Sequence, residues 1–192
     1  MPQTTLRTFI ALEIENSIKN YIQQIQDKIR ETNSVKGSWV SKENIHLTLK
    51  FLGDTQLQKV ESIKKSLDTV FKDINKISCN LEEIGTFPST RFPRVLWVGI
   101  DKGKKIIADY VDRLENSLLK LHFAKEKRGF QSHITICRVK QISAPDLLAS
   151  TIQEINKTFT CVDFIIDKVI LFESRLTPQG SIYSPLHISN LK

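Results

Sequence analysis

The sequence is short of the residues that mark several classes of protein. Its 192 residues include three cysteines, seven glycines and six prolines, and the cysteines show no C-x-x-C spacing. An odd, unpatterned set of cysteines argues against a disulfide framework or a zinc knuckle. We therefore expect Cys79, Cys137 and Cys161 to be reduced thiols in or near the core. Glycine and proline at this level also exclude collagen-like and low-complexity chains.

Long hydrophobic runs are missing as well. No stretch approaches the roughly 18 uninterrupted apolar residues that a membrane helix needs. The opening MPQTTLRTFIALEIEN has a lone arginine and an acidic end, where a signal peptide would have an apolar run and a small-residue cleavage site. We expect a cytoplasmic, monomeric protein that does not enter membranes and folds as one two-lobed domain over residues 1–192.

What the sequence does have is an excess of positive charge. Lysine and arginine together number 28 against 21 acidic residues, which gives a net charge of +7 and an isoelectric point near 9.3. Such a balance favours polyanionic partners such as nucleic acid, although it says nothing about specificity.

Hydrophobic periodicity predicts a chain that alternates strands and helices. Outside two His-Thr strands described below, strands are predicted at 7–14, 77–84, 95–100, 159–164, 168–173 and 181–188, and helices at 17–31, 57–71, 104–121 and 145–155. TNSVKG is predicted as a turn-rich passage, and LTPQG as the turn between the last two strands.

The clearest pattern is a duplicated His-x-Thr strand, found in IHLTLK and again in SHITIC. His46 and His133 lie 87 positions apart, and Arg7 and Arg94 lie the same distance apart, so RTFIALEI aligns with RVLWVGID. Each half is then predicted as strand, helix, loop, His-Thr strand, helix, strand. Two such units packed across an approximate two-fold axis would bring both His-Thr pairs to one surface.

Strand alternation predicts which side chains share that surface. Successive side chains on a strand point to opposite faces, so one face of each His-Thr strand is apolar and the other polar. The residues expected on the polar faces are His46, Thr48 and Lys50 in the first strand and His133, Thr135 and Cys137 in the second.

Two facing His-Thr pairs suit acid–base chemistry on a phosphate. Hydroxyl and ring N–H groups can hold phosphate oxygens, a neutral imidazole can take a proton from water, and an imidazolium can protonate the departing oxygen. We expect this chemistry to need no metal or other cofactor. Two alternatives stay open: a single His-x-Thr is often a solvent-facing histidine, and two imidazoles can bind zinc, although no Asp, Glu or Cys recurs beside them.

The sequence resembles the two-histidine phosphoesterase superfamily and, within it, the bacterial and archaeal RNA 2',3'-cyclic phosphodiesterases, also called 2'-5' RNA ligases (the LigT or ThpR family). The resemblance covers most of the chain and is carried by HLTL, HITI, RTFIALEI, WVSKENIHLTLKFLGD, FPRVLWVGI, Arg138 after the second motif, and SRLTPQGSIY. One departure is that Gln131 and Ser132 precede the second histidine, where relatives commonly have proline directly before it.

The resemblance implies a bilobal α+β fold with two antiparallel β-sheets, helices on the outer faces and a pseudo-two-fold repeat around a central cleft. It implies hydrolysis of RNA 2',3'-cyclic phosphate ends to 2'-phosphate ends, together with the reverse 2'-5' joining reaction. His46 would be the proton donor and His133 the proton acceptor, while Thr48 and Thr135 would bind phosphate oxygens. The residues by themselves identify this pair but leave the division of its roles open.

Further residues are candidates for contacts with RNA. The candidate cations are Arg138, which we prefer, and Lys42, Lys50, Arg128 and Lys140. The candidate stacking partners are Trp39, Phe51, Phe87 and Phe92, with Phe92 preferred because its loop also carries two arginines. Tyr183 is a candidate for ordering a histidine or a phosphate through its hydroxyl. His122 and His187 lack a threonine two residues on and are expected to be structural or surface residues.

Two other functions fit the same residues. The cradle could act on a small cyclic nucleotide or a cyclic ADP-ribose phosphate, or it could capture phosphorylated RNA ends without catalysis. The second alternative does not explain why both histidines and both threonines are present, since a binding module needs no matched acid and base.

Overall fold

The computed structural model describes residues 4–178 and 180–192. These residues form nine strands and four α-helices, in the alternation that the sequence predicts. The strands are β1 (Thr5–Glu13), β2 (Val35–Trp39), β3 (His46–Gln56), β4 (Ile77–Phe87), β5 (Val95–Ile100), β6 (His133–Ile142), β7 (Asp163–Ile166), β8 (Lys168–Thr177) and β9 (Gly180–Asn190). The helices are α1 (Asn16–Glu31), α2 (Leu57–Phe71), α3 (Lys104–Leu119) and α4 (Pro145–Lys157), and a short 3₁₀-helix, Lys42–Asn44, precedes β3.

The predicted α+β class is confirmed, with two local differences. The second half of the passage predicted as turn-rich begins β2, which pairs with β6 and so has its main-chain groups bonded within a sheet. The turn predicted between β8 and β9 includes Gln179, which lies outside the described residues.

The helices form because apolar residues recur on one face of each. In α1 and α3 the buried apolar positions are Ile18, Ile22, Ile25 and Ile29, and Ile107, Val111, Leu114 and Leu118. Spacings of three and four residues place them along one side of a helix, where they pack on a sheet. Each buried position of α3 lies 89 positions after its counterpart in α1, so the two helices are copies in the same phase.

The strands form two antiparallel sheets that meet beside the His-Thr pairs. Lobe 1 has the strand order β3-β1-β8-β9, and lobe 2 has the order β6-β5-β4-β7 with β2 along the other side of β6. The two sheets join where Leu47 of β3 lies opposite Ile134 of β6. These residues directly follow the two histidines and are counterparts in the repeat. The approximate two-fold axis therefore passes through this pair, and both His-Thr pairs lie next to it.

Each lobe is completed by elements from the other half of the chain. β4 comes from the first half but pairs with β5 in lobe 2, and β8 comes from the second half but pairs with β1 in lobe 1. The helices follow the same rule, because α3 packs with α2 on lobe 1 and α1 packs with α4 on lobe 2. The outer-face helices and the pseudo-two-fold arrangement agree with the sequence-based expectation.

Both His-Thr strands contain a β-bulge just after the threonine. β3 carries an extra residue, Leu49, relative to β1, and β6 carries an extra residue, Ile136, relative to β5. In a bulge two consecutive residues oppose one on the partner strand, which shifts the alternation of faces by one position. As a result Lys50 and Cys137 are buried in the core. The prediction that they share the polar face with the histidines was therefore wrong.

The two halves also differ in length between the first strand and the His-Thr strand. Phe9 lies opposite Phe51, and Val95 lies opposite Arg138. Phe51 and Arg138 are counterparts 87 positions apart, whereas Phe9 and Val95 are 86 apart. The predicted alignment of the two arginines at the starts of β1 and β5 is therefore wrong by one residue, because the second half has one more residue in this interval.

The structure bears on the expectations for the cysteines and for membrane helices. Cys79 and Cys137 are buried, and burial raises the pKa of each thiol to about 12. Cys161 is exposed just before β7, so the expectation of a core position was wrong for this residue. Across the described ranges, no helix has the length and apolar character needed to cross a membrane.

Candidate active site

The two predicted histidines are held in the same way at the starts of β3 and β6. Nδ1 of His46 lies 2.7 Å from the carbonyl oxygen of Asn44, and Nδ1 of His133 lies 2.8 Å from the carbonyl oxygen of Gln131. A carbonyl oxygen only accepts hydrogen bonds, so Nδ1 carries the hydrogen in both rings. Each neutral ring is left with Nε2 as its acceptor, and the main chain thus selects the same tautomer twice.

The threonines lie beside these rings. Nε2 of His46 is 2.9 Å from Oγ1 of Thr48. When this ring is neutral the hydroxyl donates to Nε2, and when the ring is protonated Nε2–H donates and the hydroxyl hydrogen is free for another acceptor. Because β3 and β6 run antiparallel about the pair that joins the lobes, Thr135 lies on the side of His46 and Thr48 on the side of His133. The four predicted groups are thus brought together.

Both imidazoles lose their protons more easily than an exposed histidine. Burial lowers the pKa of His46 from 6.5 to about 4, against the effect of its main-chain hydrogen bond, and the charges of Lys19, Arg138 and His133 lower it further. Burial also lowers the pKa of His133, and Arg138 adds to the effect. Since a proton on one ring disfavours a proton on the other, the pair holds one proton more readily than two.

Lys19 is a candidate that sequence reasoning missed. It lies in the first turns of α1, which packs against the 3₁₀-helix that leads into His46. Together with Arg138 of β6, it is one of two long cationic side chains that lower the pKa of His46. Lysines are common on the polar face of an amphipathic helix, so nothing in the sequence pattern distinguishes this one.

Aromatic rings enclose each histidine. The centroid distances to His46 are 4.9 Å from Phe9 and 5.4 Å from Tyr183, and those to His133 are 5.1 Å from Phe87 and 6.2 Å from Trp97. These walls exclude water from one side of each ring, which is the physical cause of the lowered pKa values. They also strengthen electrostatic interactions with an anion placed between the histidines.

Each bulge is held by a buried polar side chain from a helix of the other half. Gln26 of α1 donates to the carbonyl oxygens of Ile136 and Val40 at 2.9 and 2.8 Å. Glu115 of α3, 89 positions later, accepts from Nζ of Lys50 at 2.6 Å. Gln26 thus holds the β6 backbone directly after the second His-Thr pair, and Glu115 holds the side chain that follows the bulge in β3. Gln26 and Glu115 were not predicted as important. The signal in the sequence is that each is a polar residue on the apolar face of its helix.

Lys50 is therefore not the cleft cation that was predicted. Its side chain is 4% exposed, and besides Glu115 its Nζ donates to the carbonyl oxygen of Ala124 at 2.7 Å and lies 3.5 Å from a carboxylate oxygen of Glu126. Burial alone would raise the pKa of Glu115, but the hydrogen bond from Lys50 holds it below its usual value. The network ties β3 to the loop that leads into His133.

The residue two positions after each bulged residue faces the cleft, and it differs between the lobes. Arg138 is exposed in lobe 2 and acts on the pKa of both histidines. Its counterpart in lobe 1 is Phe51, which is 55% exposed and has its ring centroid 6.0 Å from that of Phe9. The cleft thus has a guanidinium on one side of the axis and an aromatic ring on the other.

The duplication is visible in the comparison with known families. The family described as LigT like Phosphoesterase matches residues 12–97 and, a second time, residues 98–183. The chain belongs to the LigT-like phosphoesterase family. The two matched stretches start 86 positions apart, which is the offset between β1 and β5 in the structure.

Relatives of this LigT-like phosphoesterase match it over almost its whole length. An RNA 2',3'-cyclic phosphodiesterase of Thermotoga maritima is 33% identical over 182 residues, 95% of this chain and 94% of the relative. A protein of the same name from Methanocaldococcus jannaschii is 34% identical over 179 residues, 93% of this chain and 96% of the relative.

Solved structures share the fold of this LigT-like phosphoesterase. E. coli LigT in complex with 3'-AMP superimposes with a TM-score of 0.78 at 19% identity, covering 98% of this chain and 99% of the other. TT0787 of Thermus thermophilus gives a TM-score of 0.78 at 18% identity, covering 97% and 98%. The predicted bilobal arrangement is thereby confirmed over nearly the whole chain.

Two predicted substrate contacts of the LigT-like phosphoesterase lie at different distances from the histidines. Tyr183 contacts the His46 ring edge-on through its own ring, rather than through the hydroxyl that the sequence-based hypothesis invoked. Phe92 is 65% exposed on the loop between β4 and β5, with the guanidinium of Arg91 5.5 Å from its ring. This loop lies at the end of β6 that carries Arg138 rather than at the end that carries His133.

The remaining candidates are more peripheral. Trp39 packs against the core with the guanidinium of Arg30 5.0 Å from its ring. His187 is bonded through Nε2 to Asp68 of α2 at 2.6 Å, and His122 is exposed after α3, as expected for structural and surface histidines. The other candidate cations are Lys42 of the 3₁₀-helix, Arg128 of the loop before β6 and Lys140 of β6.

Side chains that could bind a metal ion do not cluster in the described part of this LigT-like phosphoesterase. Within residues 4–178 and 180–192, no group of three or more His, Cys, Asp or Glu side chains is placed to hold a metal ion. The groups that do converge are two imidazoles and two hydroxyls. That the chemistry needs no metal stays a prediction.

Proposed function

We propose that this protein hydrolyses 2',3'-cyclic phosphates at RNA ends to 2'-phosphates, with His46 as proton donor and His133 as proton acceptor. The observation that carries the proposal is the pair of imidazoles fixed by equivalent main-chain carbonyls on two strands that meet at the two-fold axis. The names of the relatives from Thermotoga maritima and Methanocaldococcus jannaschii support the same substrate.

The proposed reaction is an in-line displacement at phosphorus. Nε2 of His133 takes a proton from water as its oxygen bonds to phosphorus, and Nε2–H of His46 gives a proton to the 3'-oxygen as the phosphorus–oxygen bond breaks. One water is consumed, and the 2'-oxygen keeps the phosphate. If a 5'-hydroxyl attacks the cyclic phosphate in place of water, His133 takes the proton of that hydroxyl, His46 again protonates the departing 3'-oxygen, and a 2'-5' bond forms. This joining reaction is part of the proposal.

The threonine hydroxyls stabilise the phosphate in this scheme. Protonation of His46 turns its bond with Thr48 around, so the Thr48 hydroxyl hydrogen becomes available to a phosphate oxygen. Thr135 provides a second hydroxyl from the other strand, and Arg138 provides charge on the same side. We place Tyr183 as a wall for His46, and contact of Phe92 with RNA stays a prediction.

As a donor, His46 must be protonated when the substrate is bound, although burial lowers its pKa to about 4 in the free protein. A bound cyclic phosphate favours this protonation. Its negative charge lies next to both rings in a water-poor site and raises both pKa values. We infer that the substrate itself brings the pair to its singly protonated state.

The first prediction concerns metal dependence. Incubation with an oligonucleotide ending in a 2',3'-cyclic phosphate, in excess EDTA, should give turnover unchanged from that without chelator, with a 2'-phosphate as product. A His46→Ala preparation purified in parallel controls for contaminating nucleases and phosphatases. Loss of turnover in EDTA would contradict the metal-free mechanism, and a 3'-phosphate product would contradict the assigned leaving oxygen.

The second prediction concerns pH. The value of kcat/KM reports ionisations of the free enzyme, and the reaction needs one ring protonated and one neutral. Because burial lowers the pKa of both rings below 6.5, kcat/KM should peak on the acid side of pH 6.5 and fall as the pH rises. The optimum of kcat should lie at higher pH, since the bound phosphate raises both pKa values.

The measurement is a pair of pH profiles on a cyclic-phosphate dinucleotide, with circular dichroism at each pH to verify that the protein stays folded. A kcat/KM that rises through pH 6.5 to an alkaline plateau would show that a proton on the pair is not required.

We further propose that the protein works in the cytoplasm as a monomer and as one two-lobed domain. The exchange of β4 and β8 supports the single domain, because it leaves neither lobe encoded by a continuous half of the chain. Size-exclusion chromatography with light scattering and a single unfolding transition would test the monomer and the single domain.

A further inference from the structure

A cavity of about 340 Å³ lies beside His133, between the β4–β5 strands of lobe 2 and the start of α3. Its walls include Gly99, which lies opposite His133 in the β5–β6 pairing, and Gln131, whose carbonyl oxygen holds the His133 ring. Space of this size is at the lower end of the range for small-molecule sites. The cavity is thus adjacent to the proposed reacting groups.

The lining carries both signs of charge and an aromatic residue. Lys105 reaches it from the first turn of α3, Glu82 from β4 and Trp97 from β5. The neighbouring Lys104 is already bonded to Asp101 at 2.6 Å. Among the described residues, no carboxylate lies within ion-pair distance of Lys105, so this ammonium is available to an anionic ligand.

The repeat explains why there is space beside His133. Ala108 lines the cavity from α3, and it lies 89 positions after Lys19 of α1, the offset that relates the two helices. At the position where α1 has a long cationic side chain that acts on His46, α3 has only the methyl group of Ala108. The two halves of the site therefore carry side chains of different size and charge at this position.

We propose that this cavity binds the nucleotide directly upstream of the terminal, cyclic-phosphate-bearing one. A nucleotide combines an anionic phosphate for Lys105, base N–H donors for the carboxylate of Glu82 and an apolar surface for Trp97. In hydrolysis only one RNA is bound, and because it continues only towards its 5' end, the second nucleotide nearest the histidines is the penultimate one. The inference rests on the proposed function and makes the protein an RNA enzyme rather than a mononucleotide enzyme.

The test compares kcat/KM for a 2',3'-cyclic mononucleotide and for a dinucleotide ending in the same cyclic nucleotide. The wild-type protein should prefer the dinucleotide by roughly 5- to 150-fold, the range that one base contact contributes. Ala108→Leu, which fills the cavity, should bring that ratio close to one, and Lys105→Ala should lower it severalfold. Both variants should retain the wild-type kcat/KM for the mononucleotide.

Lys102→Ala is the matched control, because Lys102 is exposed nearby and paired with Asp163 at 3.3 Å rather than lining the cavity. It should leave the ratio unchanged. A wild-type ratio near one, or a ratio that neither variant lowers, would overturn the inference. If Ala108→Leu does not fold, Lys105→Ala decides alone. A wild-type protein that hydrolyses neither substrate would instead overturn the proposed function.

Discussion

Replacing His46 or His133 by alanine should lower kcat on a cyclic-phosphate oligonucleotide by about 10²–10⁴-fold each. This is the usual contribution of a positioned acid or base, and no second imidazole lies at either place among the residues that the structure describes. The double variant should be little worse than the single ones, because an acid and a base that act in one step fail together. His122→Ala is the control, since that ring is exposed after α3.

The division of roles between the two histidines can be tested separately. A substrate with sulfur in place of the bridging 3'-oxygen has a leaving group that departs without a proton. His46→Ala should recover most of the lost rate on it, whereas His133→Ala should not, because water still needs a base. The opposite pattern would exchange the two roles. Near-normal activity of either variant on the oxygen substrate would remove that residue from the mechanism.

Breaking the buried ion pair behind the site should have the largest effect on folding. Lys50→Met leaves the carboxylate of Glu115 buried without its cation, whereas after Glu115→Leu the buried ammonium of Lys50 keeps only the exposed carboxylate of Glu126, 3.5 Å away. Removal of one member of a buried pair costs about 3–5 kcal/mol of unfolding free energy, because the remaining charge is no longer compensated. Urea unfolding followed by circular dichroism measures this difference.

Two controls define the ion-pair experiment. Lys64→Met removes a surface pair with Glu61 and should change stability little, since exposed pairs contribute little. The double replacement Lys50→Met with Glu115→Leu should recover much of the loss, because no buried charge is left. A Lys50→Met variant as stable as the wild type would mean that the pair contributes nothing measurable.

Much of the fold could be predicted because the repeat presents each pattern twice. The bounds of α2 and β5 agree with the sequence-based ranges, and the duplicated motif places His46 and His133 at equivalent points before any geometry is known. Periodicity reports which face of an element is apolar. It does not report which sheet that face will cover, so the exchange of strands and helices between lobes could not be predicted from periodicity.

The errors around the site have one local cause. Alternation assumes a regular ladder, and the bulges at Leu49 and Ile136 break it in both strands. The sequence does not reveal the bulges, because the extra residues Leu49 and Ile136 are apolar and fit the core whether or not the alternation of faces is regular. Lys50 and Cys137 were assigned to the wrong face for that reason. The polar Gln26 and Glu115 on otherwise apolar helix faces were the available clue, since a buried polar group must find a partner.

The exchange of β4 and β8 has a consequence for how the site could arise. A single half, cut from the chain, would leave β5 or β1 without the neighbour that completes its sheet, and a second copy of the same half could supply it. Assembly of two such copies would depend on their concentration, whereas one continuous chain holds both partners at a fixed local concentration. Fusion of the halves therefore makes formation of the cleft independent of dilution. It also allows the two sides to diverge, as Phe51 and Arg138 have done.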